Sequence, residues 1–235
     1  MTNLTGYMRV CAVLFAAANA VNATPCGTVA SPTACSVTVG AGTTTTFTAS
    51  NFAFLNSGQA GGGNLYQAAD INIDIASGGG RTALLSFSKN AAGPTPGVVF
   101  LANPGDTSGF TFSYDLTIAP DGPGTVDYSS ITVSLPLVSH LGNGLGSDQA
   151  VVSPTSCQAT TTTPSLFCAL PANTPNTISV GDIVTLTGNT GNVGLGTFAN
   201  LFGSTFTAAP AAETPEPATF VVMGIGLVAL RLIRR

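Results

Sequence analysis

Few side chains in this sequence could do acid, base or nucleophilic work, and their spacing decides which chemistry is open to them. His140 is the one histidine. A Ser-His-Asp hydrolase would have to be built on it, with a serine on a strained turn. No Gly-x-Ser-x-Gly segment occurs, so His140 reads as a loop residue. Beside it, Gly142-Asn143-Gly144-Leu145-Gly146 has the glycine density of a phosphate-binding loop, as does Gly191 to Gly196. That motif needs a strand before and a helix after; no helical pattern follows either segment, and both read as flexible loops. Asp115 and Asp127 could oppose each other across neighbouring strands as a glycosidase pair. Yet Asp115 falls on the solvated parity of its strand, glutamate is scarce, and there is no tryptophan to stack on a sugar. Asp70, Asp74, Asp106, Asp121 and Asp148 lie in or near predicted loops and offer oxygen ligands to a hard cation such as calcium. No loop has a recognised ligand spacing, so no calcium site is assigned and no other cofactor is expected. The reading is of a protein that is not an enzyme.

The elements that would position these residues are strands. Phe110, Phe112, Tyr114, Leu116 and Ile118 alternate with Thr111, Ser113, Asp115 and Thr117, the period of a strand with one buried and one solvated face. Ile71, Ile73 and Ile75 repeat the pattern, as do Ile131, Val133 and Leu135. Shorter strands are predicted at Thr82 to Ser88, Val98 to Leu101, Asp182 to Thr187 and Thr205 to Thr207. The apolar parity changes between Tyr128 and Ile131, which predicts a bulge at Ser129-Ser130. Gly78-Gly79-Gly80, Asn103-Pro104-Gly105-Asp106 and Pro120-Asp121-Gly122-Pro123-Gly124 carry turn chemistry between apolar runs, and links this short suggest antiparallel neighbours. No stretch of the body sustains apolar residues at helical spacing over three turns, which disfavours βαβ units. The expected fold is all-β, an antiparallel β-sandwich of Ig-like or jelly-roll style.

Composition sets the environment of that body. Only 7% of the 235 residues are charged, against about 25% in an average soluble domain. A hydrophobic content of 44% argues against a disordered chain all the same. Between Thr24 and Thr214 the only cations are Arg81 and Lys89, against eight aspartates and Glu213. Nucleic acid is excluded as a partner, because phosphate binding needs clustered Lys and Arg.

The two ends read as addresses. Arg9 precedes the apolar run Val10 to Ala18, and small residues follow at Ala20 and Ala23, the order of a secretory signal peptide cleaved after Ala23 or else after Ala20. Nine apolar residues rise only about 14 Å as a helix, short of a bilayer core of roughly 30 Å. The chain thus divides into a signal peptide over 1–23, a body over 24–207, a Pro/Ala linker over 208–214 and a tail over 215–235. The tail opens with Pro215-Glu216-Pro217, runs uncharged from Ala218 to Leu230 and closes with Arg231, Arg234 and Arg235, which would stay on the cytoplasmic side of a membrane. Removal of Cys11 with the leader leaves Cys26, Cys35, Cys157 and Cys168, an even set that reads as two disulfides in an oxidising compartment. Three connectivities exist; Cys26–Cys35 and Cys157–Cys168 are favoured because each closes a short loop.

The Pro-Glu-Pro triplet, the Gly-containing apolar segment and the terminal arginines together resemble the PEP-CTERM sorting signal of Gram-negative bacteria. The resemblance covers about the last twenty-one residues. It implies recognition of Pro215, Glu216 and Pro217 by an exosortase, a membrane-embedded cysteine protease and transpeptidase, with Arg231, Arg234 and Arg235 as retention charges. It also implies a cell that makes extracellular polysaccharide. The expected partners are signal peptidase, exosortase, the membrane through the C-terminal helix before processing, and exopolysaccharide. The expected role is a surface or extracellular-matrix protein. The rival readings are a carbohydrate-binding module, which a solvent-facing patch of Tyr66, Tyr114 or Tyr128 would favour, and a secreted hydrolase. The threonine tracts Thr43 to Thr46 and Thr160 to Thr163 read as solvated strand faces or loops, or as O-glycosylation sites.

Overall fold

The computed structural model describes residues 23–140 and 143–210. The signal peptide, the sorting motif and the C-terminal helix expected from the sequence lie outside them. The described chain is all-β. In order its strands are β1 (Thr24–Thr28), β2 (Ser31–Pro32), β3 (Cys35–Val39), β4 (Thr45–Ala60), β5 (Ile71–Gly79), β6 (Thr82–Lys89), β7 (Phe100–Ala102), β8 (Asp106–Pro120), β9 (Gly124–Ser134), β10 (Leu137–His140), β11 (Gly144–Val152), β12 (Thr155–Thr160), β13 (Ser165–Ala169), β14 (Thr177–Gly188), β15 (Val193–Leu195) and β16 (Thr197–Ala208). One 3-10 turn, Ala68–Asp70, leads into β5.

Seven strands form one sheet in the order β13-β9-β16-β6-β5-β1-β2, six form a second in the order β12-β11-β14-β8-β4-β3, and β10-β15-β7 make a small third. Neighbouring strands are antiparallel throughout. The period-2 patterns put the apolar sides of the two large sheets face to face, as in a β-sandwich. From the seven-stranded sheet come Ile71, Ile73 and Ile75, Leu85 and Phe87, Ile131 and Val133, and Phe198 and Phe202; from the six-stranded sheet come Phe47, Phe110, Phe112, Leu116, Val180 and Val184, all buried. Rings meet across the interface: Phe87 lies 4.7 Å from Phe112 and Phe110 lies 5.9 Å from Phe198, centroid to centroid. Buried Tyr128 of β9 donates its hydroxyl to the Leu116 carbonyl of β8 at 2.6 Å, satisfying the one polar atom the ring carries into the core.

The predicted bulge is present. Gly203 pairs with Ser130 and Ser204 with Tyr128, so Ser129 is the extra residue of β9. Two of the three short links, however, are not hairpins. Gly78 to Gly80 joins the paired strands β5 and β6, but Asn103 to Asp106 joins β7 of the small sheet to β8, and Pro120 to Gly124 carries the chain from the six-stranded sheet into β9 of the other. A short turn at the rim of a sandwich can reverse the chain within a sheet or tip it across the core, and turn residues alone do not distinguish the two. The strand predicted at Val98 to Leu101 begins later, at Phe100, and Val98 is exposed. The glycine segments predicted as loops are partly strand: Gly144 to Gly146 opens β11 and Val193 to Leu195 is β15, held between β10 and β7. His140 ends β10, paired with Val193, and not a loop. In each case backbone pairing with distant strands overrides the flexibility that glycine-rich sequence suggests.

Candidate functional site

One polar group interrupts the apolar interface. Tyr114 of β8, Asp182 of β14 and Asp148 of β11 occupy inward positions of the six-stranded sheet, and Asn200 of β16 faces them from the other. Each sits at the parity of apolar neighbours: Tyr114 between Phe112 and Leu116, Asp182 between Val180 and Val184, Asn200 between Phe198 and Phe202. Pairing sets their relative positions. Asp182 lies opposite Phe112 on one side and Ala150 on the other, which makes Tyr114 and Asp148 its diagonal neighbours on the same face. The Asn200 amide nitrogen donates to Asp182 Oδ1 at 2.8 Å and Oδ2 at 2.9 Å, and to the Tyr114 hydroxyl at 2.9 Å. All four residues are excluded from solvent.

The group is short of donors. Both carboxylate oxygens of Asp148 and the carboxamide oxygen of Asn200 are buried with no hydrogen-bond partner. Burial, and then the charge of Asp182, pushes the Asp148 carboxyl well above the carboxylate range. Burial also raises Asp182, against the opposing pull of the bonds from Asn200 and Tyr114. Burial followed by the charge of Asp182 raises the Tyr114 hydroxyl. Two carboxyls in this setting carry protons or require a counter-ion.

A second polar group shows the contrast of complete satisfaction. Asp70, at the end of the 3-10 turn, accepts from Lys89 Nζ at 2.9 Å and from the Thr95 backbone at 2.9 Å through Oδ1, and from Thr95 Oγ1 at 2.6 Å and the Gln67 backbone at 2.8 Å through Oδ2. Lys89 donates further to the carbonyls of Asn90 and Thr95. Burial raises the Asp70 pKa, but the bonds from Thr95, Lys89 and Gln67 outweigh it, and the carboxyl titrates below its ordinary value. Every polar atom is used, so the group ties the loop after β6 to the turn before β5.

The four cysteines form the two favoured bonds, Cys26–Cys35 with Cα atoms 5.3 Å apart and Cys157–Cys168 at 5.9 Å. Each joins the two sheets: β1 to β3 at one lateral edge and β12 to β13 at the other. Pro215, Glu216, Pro217, Arg231, Arg234 and Arg235 lie outside the described residues. Asp115 and Asp127 do not meet. They sit on the outward sides of β8 and β9, which belong to different sheets, and Asp115 accepts from the Asn51 amide at 2.8 Å. The aspartates considered for calcium are dispersed: Asp70 is paired with Lys89, Asp106 accepts from the Gly62 backbone, and Asp121 accepts from Thr44 and Thr46. Asp74 is in β5, and Asp148 is inside strand β11 rather than near a loop. Tyr66, Tyr114 and Tyr128 are all buried and form no solvent-facing patch. Asp182 and Asn200 were not singled out from the sequence as members of a buried polar group with Asp148, although their inward parity was a usable signal.

The outer face of the six-stranded sheet is a field of hydroxyls with little charge. Thr38 bonds Thr46 at 2.9 Å, Thr117 bonds Thr177 at 3.0 Å and Gln149 bonds Ser156 at 2.6 Å. A shallow hollow of about 350 Å³ lies where Gly58 and Gly109 leave this face without side chains, beside Ile183. The chain matches no family model, no curated protein and no solved structure.

Proposed function

We propose that this protein is an exported, non-enzymatic component of the cell surface or extracellular matrix of a Gram-negative bacterium, sorted by an exosortase through Pro215-Glu216-Pro217. The observation that carries the reading is the pair of disulfides, each clamping one edge of the body, since such bonds persist in oxidising compartments outside the cytoplasm. The apolar leader that holds Cys11 and the basic, apolar tail support it from the sequence. Two antiparallel sheets packed face to face support placing the body among sandwiches of Ig-like or jelly-roll style. Signal peptidase and exosortase are then processing partners, and exopolysaccharide is the matrix the product would enter. The carbohydrate-module alternative lacks the tyrosine platform that would have favoured it, and would have to rest on the hydroxyl face. The hydrolase alternative lacks a paired acid exposed to solvent at Asp115 and Asp127.

Intact-mass spectrometry of the protein from its native host tests the proposal. The expected product has lost both terminal segments and shows the mass deficit of two disulfides, and a variant with Pro215, Glu216 and Pro217 replaced by alanine retains its tail. A wild-type product that keeps Ala218 to Arg235 would overturn exosortase processing.

A further inference from the structure

We propose that Asp148, Asp182, Asn200 and Tyr114 form a binding site for one calcium ion in the core between the two sheets. Charge comes first. The two carboxyls are buried together, and the cations among the described residues of the body are committed elsewhere: Lys89 to Asp70, and Arg81 to Thr45 Oγ1 and the Thr43 carbonyl with its guanidinium 4.9 Å above the Phe206 ring. Among the described residues no side chain supplies the missing positive charge, and an unpaired buried carboxylate is strongly disfavoured.

The hydrogen-bond inventory points the same way. Within this group three buried acceptor oxygens lack partners, Asp148 Oδ1, Asp148 Oδ2 and Asn200 Oδ1, whereas the Asn200 amide nitrogen is already engaged. A surplus of acceptors is the complement of a cation. Asp182 acts on Asp148 through its charge and not through a hydrogen bond. On one sheet face, diagonal residues have Cβ atoms roughly 7–8 Å apart or somewhat less. Two aspartates at that spacing can each bring an oxygen to a common point about 2.3–2.6 Å away, the length of a calcium–oxygen bond.

Donor chemistry selects the ion. All the available donors are oxygens, which favours a hard cation over zinc or copper. Two carboxylates balance a charge of +2. With no solvent at the site, magnesium would have to shed the waters it holds tightly, while calcium accepts an irregular shell of protein oxygens. Among the described residues no three His, Cys, Asp or Glu side chains form a metal-binding group, so the shell would need, beside the two carboxylates, the unpartnered carboxamide oxygen of Asn200 and the Tyr114 oxygen, which already accepts from the Asn200 amide. The site does not depend on the export reading.

Because the ion would be occluded, the test passes through the unfolded state. The full chain, disulfides intact, is unfolded in guanidinium with chelator, then refolded by dialysis either into calcium or into chelator. Bound metal is measured by mass spectrometry of the elements, and the thermal midpoint by calorimetry. One calcium per chain and a midpoint higher than that of the chelator sample are expected. Terbium in place of calcium should show luminescence sensitised by Tyr114, and Asp148→Asn should weaken calcium binding at least tenfold. In chelator at neutral pH, Asp148→Asn should instead raise the midpoint, because it removes the repelling acid. A refolded wild-type protein with no bound calcium and equal midpoints would overturn the site, as would calcium bound equally by wild type and the folded variant. Should the variant not fold, the wild-type comparison decides alone.

Discussion

Loss of Lys89 should be strongly destabilising. Lys89→Met keeps an apolar stem but removes the one ammonium facing Asp70, leaving a buried carboxylate with only Thr95 and Gln67 as donors. Breaking one side of a buried pair typically costs about 3–5 kcal/mol. Urea denaturation should show a loss of that order, and a loss below about 1 kcal/mol would mean that Asp70 takes up a proton at little cost. The partnership was half legible in the sequence. Lys89 shares the parity of Ala83, Leu85 and Phe87, so alternation places it inside; its partner is nineteen residues back on a turn, and nothing in the spacing announces that. Asp148, Asp182 and Asn200 repeat the lesson. Each lies at the inward parity of its strand, yet a polar residue is ordinarily read as the end of a strand or as a loop, and the burial that gives these residues their chemistry comes from strands far away in sequence.

At the scale of elements, the disulfides hold the lateral edges of the sandwich. Strand β12 is the outer strand of one sheet and β13 of the other, so Cys157–Cys168 replaces with a covalent link the pairing that neither edge has. Replacing both cysteines with alanine should cost about 3 kcal/mol, the scale expected for a short closed loop. It should also free β13, where Phe167 is 65% exposed, to pair with other chains. A denaturant midpoint together with light scattering checks both; an unchanged midpoint would show that the edges are held by their turns. The strands themselves were largely readable wherever alternation ran clean, as in β5, β6 and β8. They were unreadable where glycine, threonine and serine carry the outward face and bulges break the parity, as in β4, whose register shifts near Asn51 and again near Leu55. Strand order was hidden for a different reason. Strand β16 lies between β9 and β6, and β14 between β11 and β8, pairings whose partners are set by packing across the core rather than by neighbouring sequence.

For the whole molecule, the buried acids divide into two groups that pull stability in opposite directions with pH. Asp70 titrates low in the fold, so its contribution is present above the unfolded carboxyl pKa of about 3.9 and is lost as the pH falls below that. Asp182 is raised to about 7, and Asp148 is raised as well. Their protonated forms suit the core, so their contribution is complete below about 3.9 and declines as the pH rises through the folded values. Half-buried Asp74, raised by burial, adds to the decline. In chelator, stability should therefore peak near the unfolded carboxyl pKa of about 3.9 and fall by a few kcal/mol, in order of magnitude, towards neutral and alkaline pH. Beyond that, the raised hydroxyls of Tyr114 and Tyr128 defer their own ionisation to strongly alkaline pH. In saturating calcium the alkaline limb should flatten, because an ion that holds both carboxylates deprotonated takes over the role of the protons. The acid limb, which belongs to Asp70, should not move. Thermal midpoints from pH 3 to pH 9, with chelator and with calcium, separate the two groups directly. An alkaline limb equally steep in both series would leave the core acids to protons alone.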